Sequence, residues 1–156
     1  TSPERLPGLL TGRQCLEIHA LAKELSAIDD RTTALAASLG FTPYLDRCVD
    51  TYSLGTKQKL CILLALLGEP RLIVLDEAFN GLDPGSALVL KRHIRQRLSD
   101  ESCAVLLATH SLYIVEHYAD RAALLIDGSI ARQWDRGDLD LLREQGGNAL
   151  EEAVSA

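Results

Sequence analysis

Two short runs of the chain are apolar without interruption, Leu72-Ile-Val-Leu75 and Ala104-Val-Leu-Leu-Ala108. Such runs, the first partly β-branched, read as strands buried on both faces. Helix signals follow each of them. Asp83-Pro84 supplies an N-cap with proline at the first helical position. That helix runs to about Leu98 and turns Ala87, Leu90, Ile94 and Leu98 inward. Ser111 caps another helix, to about Ala119. A third apolar run, 122–126, meets a strand over 130–134 across Asp127-Gly128-Ser129, a hairpin signal. Arg136-Gly137-Asp138 then leads into a helix ending near Gly146. Strand, helix, strand, helix, strand predicts an α/β fold whose parallel sheet is built by right-handed crossovers.

Nothing before residue 50 has the period of a strand. Thr11 with Gln14 fits a capping box opening a helix to about Ala27, with Leu16, Leu21, Leu25 and Ile28 as its apolar stripe. Asp29-Asp30 breaks it, and a second helix over 32–39 stops at Gly40. After a turn over 44–50 comes Tyr52-Ser-Leu-Gly-Thr-Lys-Gln-Lys-Leu60, which opens a long apolar helix closed by Gly68 and Pro70.

Composition narrows the classes. An apolar fraction of 47% with 24% charged residues reads as globular. A net charge of −6 argues against nucleic acid as a partner. The apolar stretch LCILLALLG is far shorter than the roughly 20 residues of a membrane span. No basic-then-apolar leader opens the chain, so a cytoplasmic location with reduced, mostly buried thiols is expected for Cys15, Cys48, Cys61 and Cys103. The histidines have no metal-ligand spacing. Without methionine and with Thr1 first, the chain reads as a piece of a longer product.

Ligands of open parallel sheets sit beyond the carboxyl ends of the strands. The first strand ends in Asp76-Glu77 and the next in Thr109-His110. An apolar strand ending in two acids suits nucleotide hydrolysis: one carboxylate for Mg²⁺, the other to orient or deprotonate water. Charged residues also end strands for no chemical reason. Gly81-Leu-Asp-Pro84 brings a third carboxylate, Asp83, just beyond. At Ser53-Leu-Gly-Thr56 a hydroxyl and open backbone N–H groups begin a helix, an anion site in outline. Gly55 would let backbone approach a phosphate closely. The plain alternative is that Ser53 only caps the helix. Lys91, Arg92, Arg95 and Arg97 read as a solvated basic helix face, residues 135–140 as turn and cap, and Tyr44 and Tyr52 as core packing.

Together these residues resemble the ATP-binding cassette family, the ATPase domains of ABC transporters. YSLGTKQ is similar to the family signature motif, RLIVLDEA to its Walker B strand, NGLDP to its D-loop and ATH to its switch-histidine segment. LTGRQCLEIHALAKEL resembles the helical subdomain of the branch that includes many bacterial exporters, and NALEEAV its closing helix. Leu54 stands where the signature has its first glycine and Thr56 where it has glutamine; Gln58 is familiar in the exporter branch. The resemblance implies a partial P-loop NTPase-type core with a helical subdomain before it and a β-hairpin and helix after it. The implied domains are 1–68 (helical, with the signature), 69–146 (the Walker B half) and 147–156 (the start of a C-terminal extension).

By that resemblance ATP and Mg²⁺ are the ligands. Asp76 is the magnesium-side carboxylate, Glu77 the catalytic base, and His110 the sensor of the γ-phosphate. Ser53, Gly55, Thr56, Gln58 and Asp83 serve nucleotide across a head-to-tail dimer with a second ATP-binding domain. The other implied partner is a transmembrane permease subunit, on the inner face of the cell membrane. No Gly-Lys pair occurs, so the phosphate-binding loop GxxxxGK[ST] is not represented, and this chain alone is expected to be inactive. The rival readings are a soluble ABC-type ATPase of DNA repair or translation, and a non-catalytic truncated cassette acting as an interaction module.

Overall fold

A computed structural model describes residues 2–99, 103–146 and 149–155. The chain divides into two compact units, Thr1–Ala108 and Thr109–Ala156.

The first unit begins with α1 (Gly12–Ala22), and its capping box is present as expected. Thr11 Oγ1 accepts from Gln14 N at 3.2 Å, and Gln14 Oε1 accepts from Thr11 N at 2.9 Å. The helix stops five residues short of the expected end, and Glu24 takes a left-handed φ of 58°. The expected stripe is corrected accordingly. Cys15, Leu16 and Ala20 are buried, while Leu21 lies on the exposed side. Leu25 and Ile28 leave the helical phase and reach half-buried positions from the connecting loop. Asp29 does not break a helix but caps one, α2 (Asp30–Ser38). Its carboxylate accepts from Thr32 N at 2.7 Å and from Gly68 N at 2.9 Å, which pins α2 to the end of the next helix.

That next helix, α3 (Leu54–Leu66), is the centre of the unit. Leu60, Ile62, Leu63, Leu64 and Leu66 are all buried, so it is apolar around most of its circumference. Each such leucine contributes about 1.5–3 kcal/mol relative to an exposed one. Around it pack Leu16, Leu35, Leu39 and Phe41 from the N-terminal helices. On its other side lie Ile73 and Leu75 of β1 (Leu72–Asp76), and Leu90 and Ile94 of α4 (Pro84–Ser99). β2 (Ala104–Ala108) pairs parallel with β1, in register from Leu72 opposite Ala104 to Asp76 opposite Ala108. The tyrosines of this unit are core, as expected: Phe41, Tyr44 and Tyr52 form an edge-to-face and tilted cluster.

Two expectations for this sheet are corrected. The strands are not buried on both faces: Ile73 and Leu75 are covered, but Leu72, Val74 and Leu106 stand 59%, 58% and 62% exposed. The helices α3 and α4 pack on one side, and the alternation of a strand then leaves the other apolar set outward. Nor does the third apolar run extend the parallel sheet. Each sheet described has two strands, β1–β2 and β3–β4.

The second unit contains α5 (Leu112–Tyr118), β3 (Ala122–Ile126), β4 (Ser129–Trp134), α6 (Arg136–Gln145) and α7 (Ala149–Ser155). β3 and β4 form the expected hairpin, closed by Asp127 and Gly128 at φ 50° and 76°. Two successive positive φ values match the twist of a two-residue turn, and local closure satisfies β3 with its neighbour in sequence. Asp135 and Asp138 cap α6 reciprocally, as expected for that acidic stretch. Arg143 joins α6 to the end of α5 through the carbonyls of Glu116 and Ala119. All four cysteines are free; Cys15 and Cys61 are buried, Cys103 half-buried and Cys48 exposed.

Candidate functional site

The start of α3 and the turn after β1 meet back to back. Ser53 is the N-cap: its Oγ accepts from Thr56 N at 3.2 Å and lies 2.9 Å from Thr56 Oγ1. Ser53 is exposed, whereas Thr56 is buried beneath it. The capping turn directs the N–H groups of Leu54 and Gly55 away from the helix's own ladder. With the helix dipole behind them, these donors and the serine hydroxyl suit an anion.

Gly55 is needed for a reason the sequence did not reveal. A Cβ there would lie 2.6 Å from the carbonyl oxygen of Gly81, so the backbones of the two turns nearly touch. Gly81 has φ 76°, a conformation open to glycine and strained for other residues. Gln58 completes this junction from inside. It is only 7% exposed, and its Nε2 donates to Ala78 O at 3.0 Å, one residue past Glu77. Thus Gln58 and Thr56 are brought to the site as internal supports, and Ser53 is its exposed member.

Asp83 lies on the same junction. Lys59 Nζ sits 3.1 Å from Asp83 Oδ2, and the aspartate also accepts from Ser86 N at 2.9 Å and Ser86 Oγ at 2.7 Å as the cap of α4. The serine hydrogen bonds, then Lys59, hold its carboxyl well below the usual carboxylate range. Lys59, on α3, is a residue that no motif singles out in the sequence.

Asp76 closes the β1–β2 ladder opposite Ala108 and is exposed at the strand end. Glu77 N still donates to Ala108 O at 3.0 Å, but its φ of 46° is left-handed. A non-glycine residue held there departs from the sheet and redirects the chain into the turn. Asn80 N donates to Glu77 O at 3.0 Å, closing that turn. Asp76 and Glu77 therefore flank the point where strand becomes turn, on the turn that carries Gly81 and Asp83. His110 belongs to the other compact unit, exposed in the segment between β2 and α5. There the Thr109 hydroxyl accepts from Ser111 N at 3.1 Å.

Among the described residues, no group of three or more His, Cys, Asp or Glu side chains could hold a metal ion.

The basic helix face read from sequence is corrected at one member. Arg97 is 4% exposed, and it donates to Glu69 Oε2 at 2.9 Å and to Pro70 O at 3.0 Å. The long side chain reaches beneath α3 to a loop, which no helical period announces.

Residues 38–116 match the family model described as "AAA domain, putative AbiEii toxin, Type IV TA system". The chain is 38% identical over 129 residues to the uncharacterized ABC transporter ATP-binding protein YdbJ of Bacillus subtilis, covering 83% of this chain and 41% of that one. It is 36% identical over 128 residues to the retinal-specific phospholipid-transporting ATPase ABCA4 of Bos taurus, covering 81% of this chain and 6% of the relative. It thus spans about two fifths of the length of the first of these and a small part of the second. Among solved structures, an ATP binding subunit of an ABC transporter superposes with a TM-score of 0.80 at 27% identity, over 97% of this chain and 65% of the other. The dimeric, post-hydrolysis ATP-binding cassette MJ0796, bound to ADP and Pi, shares the fold with a TM-score of 0.75 at 18% identity, over 87% of this chain and 61% of the other. By these matches the chain belongs to this AAA-domain family and, within the P-loop ATPases, represents part of an ATP-binding cassette domain.

Proposed function

We propose that the protein containing this chain is the ATP-binding and ATP-hydrolysing subunit of an ABC transporter, an exporter by its helical subdomain. The observation that carries this reading is the junction where Gly55 meets Gly81 O and Gln58 meets Ala78 O. It joins an anion-ready helix start to the turn that follows two strand-end carboxylates.

In this reading Asp76 holds Mg²⁺, which supplies charge neutralisation at the phosphates when bound. Glu77, redirected by its left-handed backbone, orients and accepts a proton from the attacking water. His110 donates to the terminal phosphate. Ser53 Oγ and the N–H groups of Leu54 and Gly55 receive nucleotide held by a second domain, while Thr56 and Gln58 support them from within. Asp83 and its Lys59 ion pair face that second domain, in a head-to-tail dimer. A membrane permease is the remaining partner, and the protein sits at the inner membrane face; no described helix is long and apolar enough to cross a membrane. The helical subdomain is 1–68, the Walker B half 69–146, and a C-terminal extension begins at 147.

The chain alone turns over no ATP, because no Gly-Lys pair supplies a phosphate cradle. The test measures ATPase activity in the whole gene product and in this chain, each with and without Glu77→Gln. Activity of the whole product that Glu77→Gln removes supports the assignment. Unchanged activity in that variant overturns the role of Glu77, and robust turnover by the chain alone overturns the expected inactivity.

A further inference from the structure

The unit Thr1–Ala108 has a cleft of about 360 Å³ between α2 and α4. Its chemistry is lopsided. Arg31 from α2, and Arg92 and Arg97 from α4, line it and a small adjoining recess, against one acid, Glu69. Two of these guanidiniums converge on the same carboxylate oxygen: Arg31 Nη1 at 2.5 Å and Arg97 Nη1 at 2.9 Å from Glu69 Oε2. Arg92 is exposed on the lip, and among the described residues no carboxylate pairs with it. In a chain whose net charge is −6, this is a local excess of positive charge. The floor is apolar, built by Leu35 and Val89. A volume of this order falls in the range of small-molecule sites, about 300–1,000 Å³.

We propose that this cleft binds a small organic anion, its oxyanion held by Arg31 and Arg92 and its apolar part resting on Leu35 and Val89. The planar guanidinium matches carboxylate and phosphate oxygens alike. The inference does not depend on the transporter reading, since it uses none of the residues of the ATP site.

His93 lies in the cleft wall and reports on occupancy. Burial, then the charges of Arg97 and Arg31, keep its imidazole below the usual histidine value, while Glu69 and Asp29 act in the opposite sense. A bound anion adds negative charge beside the ring and raises its titration midpoint. The experiment follows the four histidine ring signals of the chain by NMR. Hexyl phosphate, hexanoate, inorganic phosphate and hexanol are titrated in turn, and His93 is assigned from the signal lost in His93→Gln.

The expected result is a saturable shift of the His93 signal in the millimolar range with hexyl phosphate or hexanoate, and an upward move of its midpoint. The tighter of the two names the head group. Arg92→Gln, an exposed change that leaves the Arg97–Glu69 pair in place, should weaken binding about tenfold with an unchanged circular dichroism spectrum. The absence of a saturable shift, an equal response to hexanol, or full affinity in Arg92→Gln would overturn the proposal. Inorganic phosphate binding as tightly as hexyl phosphate would also overturn it, by removing the organic part.

Discussion

Gly55→Ala separates two explanations for a glycine at the start of α3. If the residue is glycine only so that a phosphate can come close, alanine should be harmless to the folded chain. It should even help, because alanine gains about 1 kcal/mol over glycine in a helix interior and less at its first turn. The structure predicts the opposite. The new methyl would sit 2.6 Å from Gly81 O, an atom of backbone and not the tip of a flexible side chain. Relief requires α3 and the Gly81 turn to part, which strains the Gln58–Ala78 hydrogen bond just behind. Overpacking of this kind costs about 1–3 kcal/mol. Net of the propensity gain, the loss is about 1–2 kcal/mol, a drop of roughly 0.5–1 M in urea midpoint at a slope near 2 kcal/mol per M. Gly85→Ala is the matched control, in the first turn of α4, where a methyl meets only a side-chain oxygen of Asp83, at 3.2 Å, and no backbone atom. Urea unfolding followed by far-UV circular dichroism should show Gly55→Ala clearly below wild type and Gly85→Ala level with it. Equal midpoints for the two variants would refute the close packing of the turns.

Gln58→Leu removes the donor to a buried carbonyl and should cost about 1–3 kcal/mol, read as a lowered thermal midpoint with no change in helix content. Asp83 has a folded pKa depressed below its ordinary 3.8, so its contribution is present above that value and is lost as pH falls through the folded one. The stability difference between wild type and Asp83→Asn should therefore stay constant from neutral pH to about 4 and shrink below it, as acid titrations of the two would record. The outward apolar set Leu72, Val74 and Leu106 should drive concentration-dependent self-association. Leu106→Lys should weaken it at least about tenfold in sedimentation velocity.

Elements whose cause is local were legible along the chain. The Thr11–Gln14 box, the Ser53 and Asp83 caps, the Asp127-Gly128 hairpin and the acidic cap of α6 each follow from hydrogen bonds within a few residues. The two apolar runs likewise announced β1 and β2.

Other features depended on what comes near from elsewhere in the chain. Apolar runs say that both faces of a strand could be buried, but only the placement of α3 and α4 decided that one face would be covered. That Gly55 also serves a neighbour was visible only in the approach of the Gly81 carbonyl, a contact between segments 26 residues apart in sequence. Arg97 was one more cation on a helix until Glu69 and Pro70 gave it buried partners. Local pattern determines which backbone hydrogen bonds close first, since those partners are fixed by covalent spacing. Burial and charge pairing are decided by distances through space, which only the packed chain specifies.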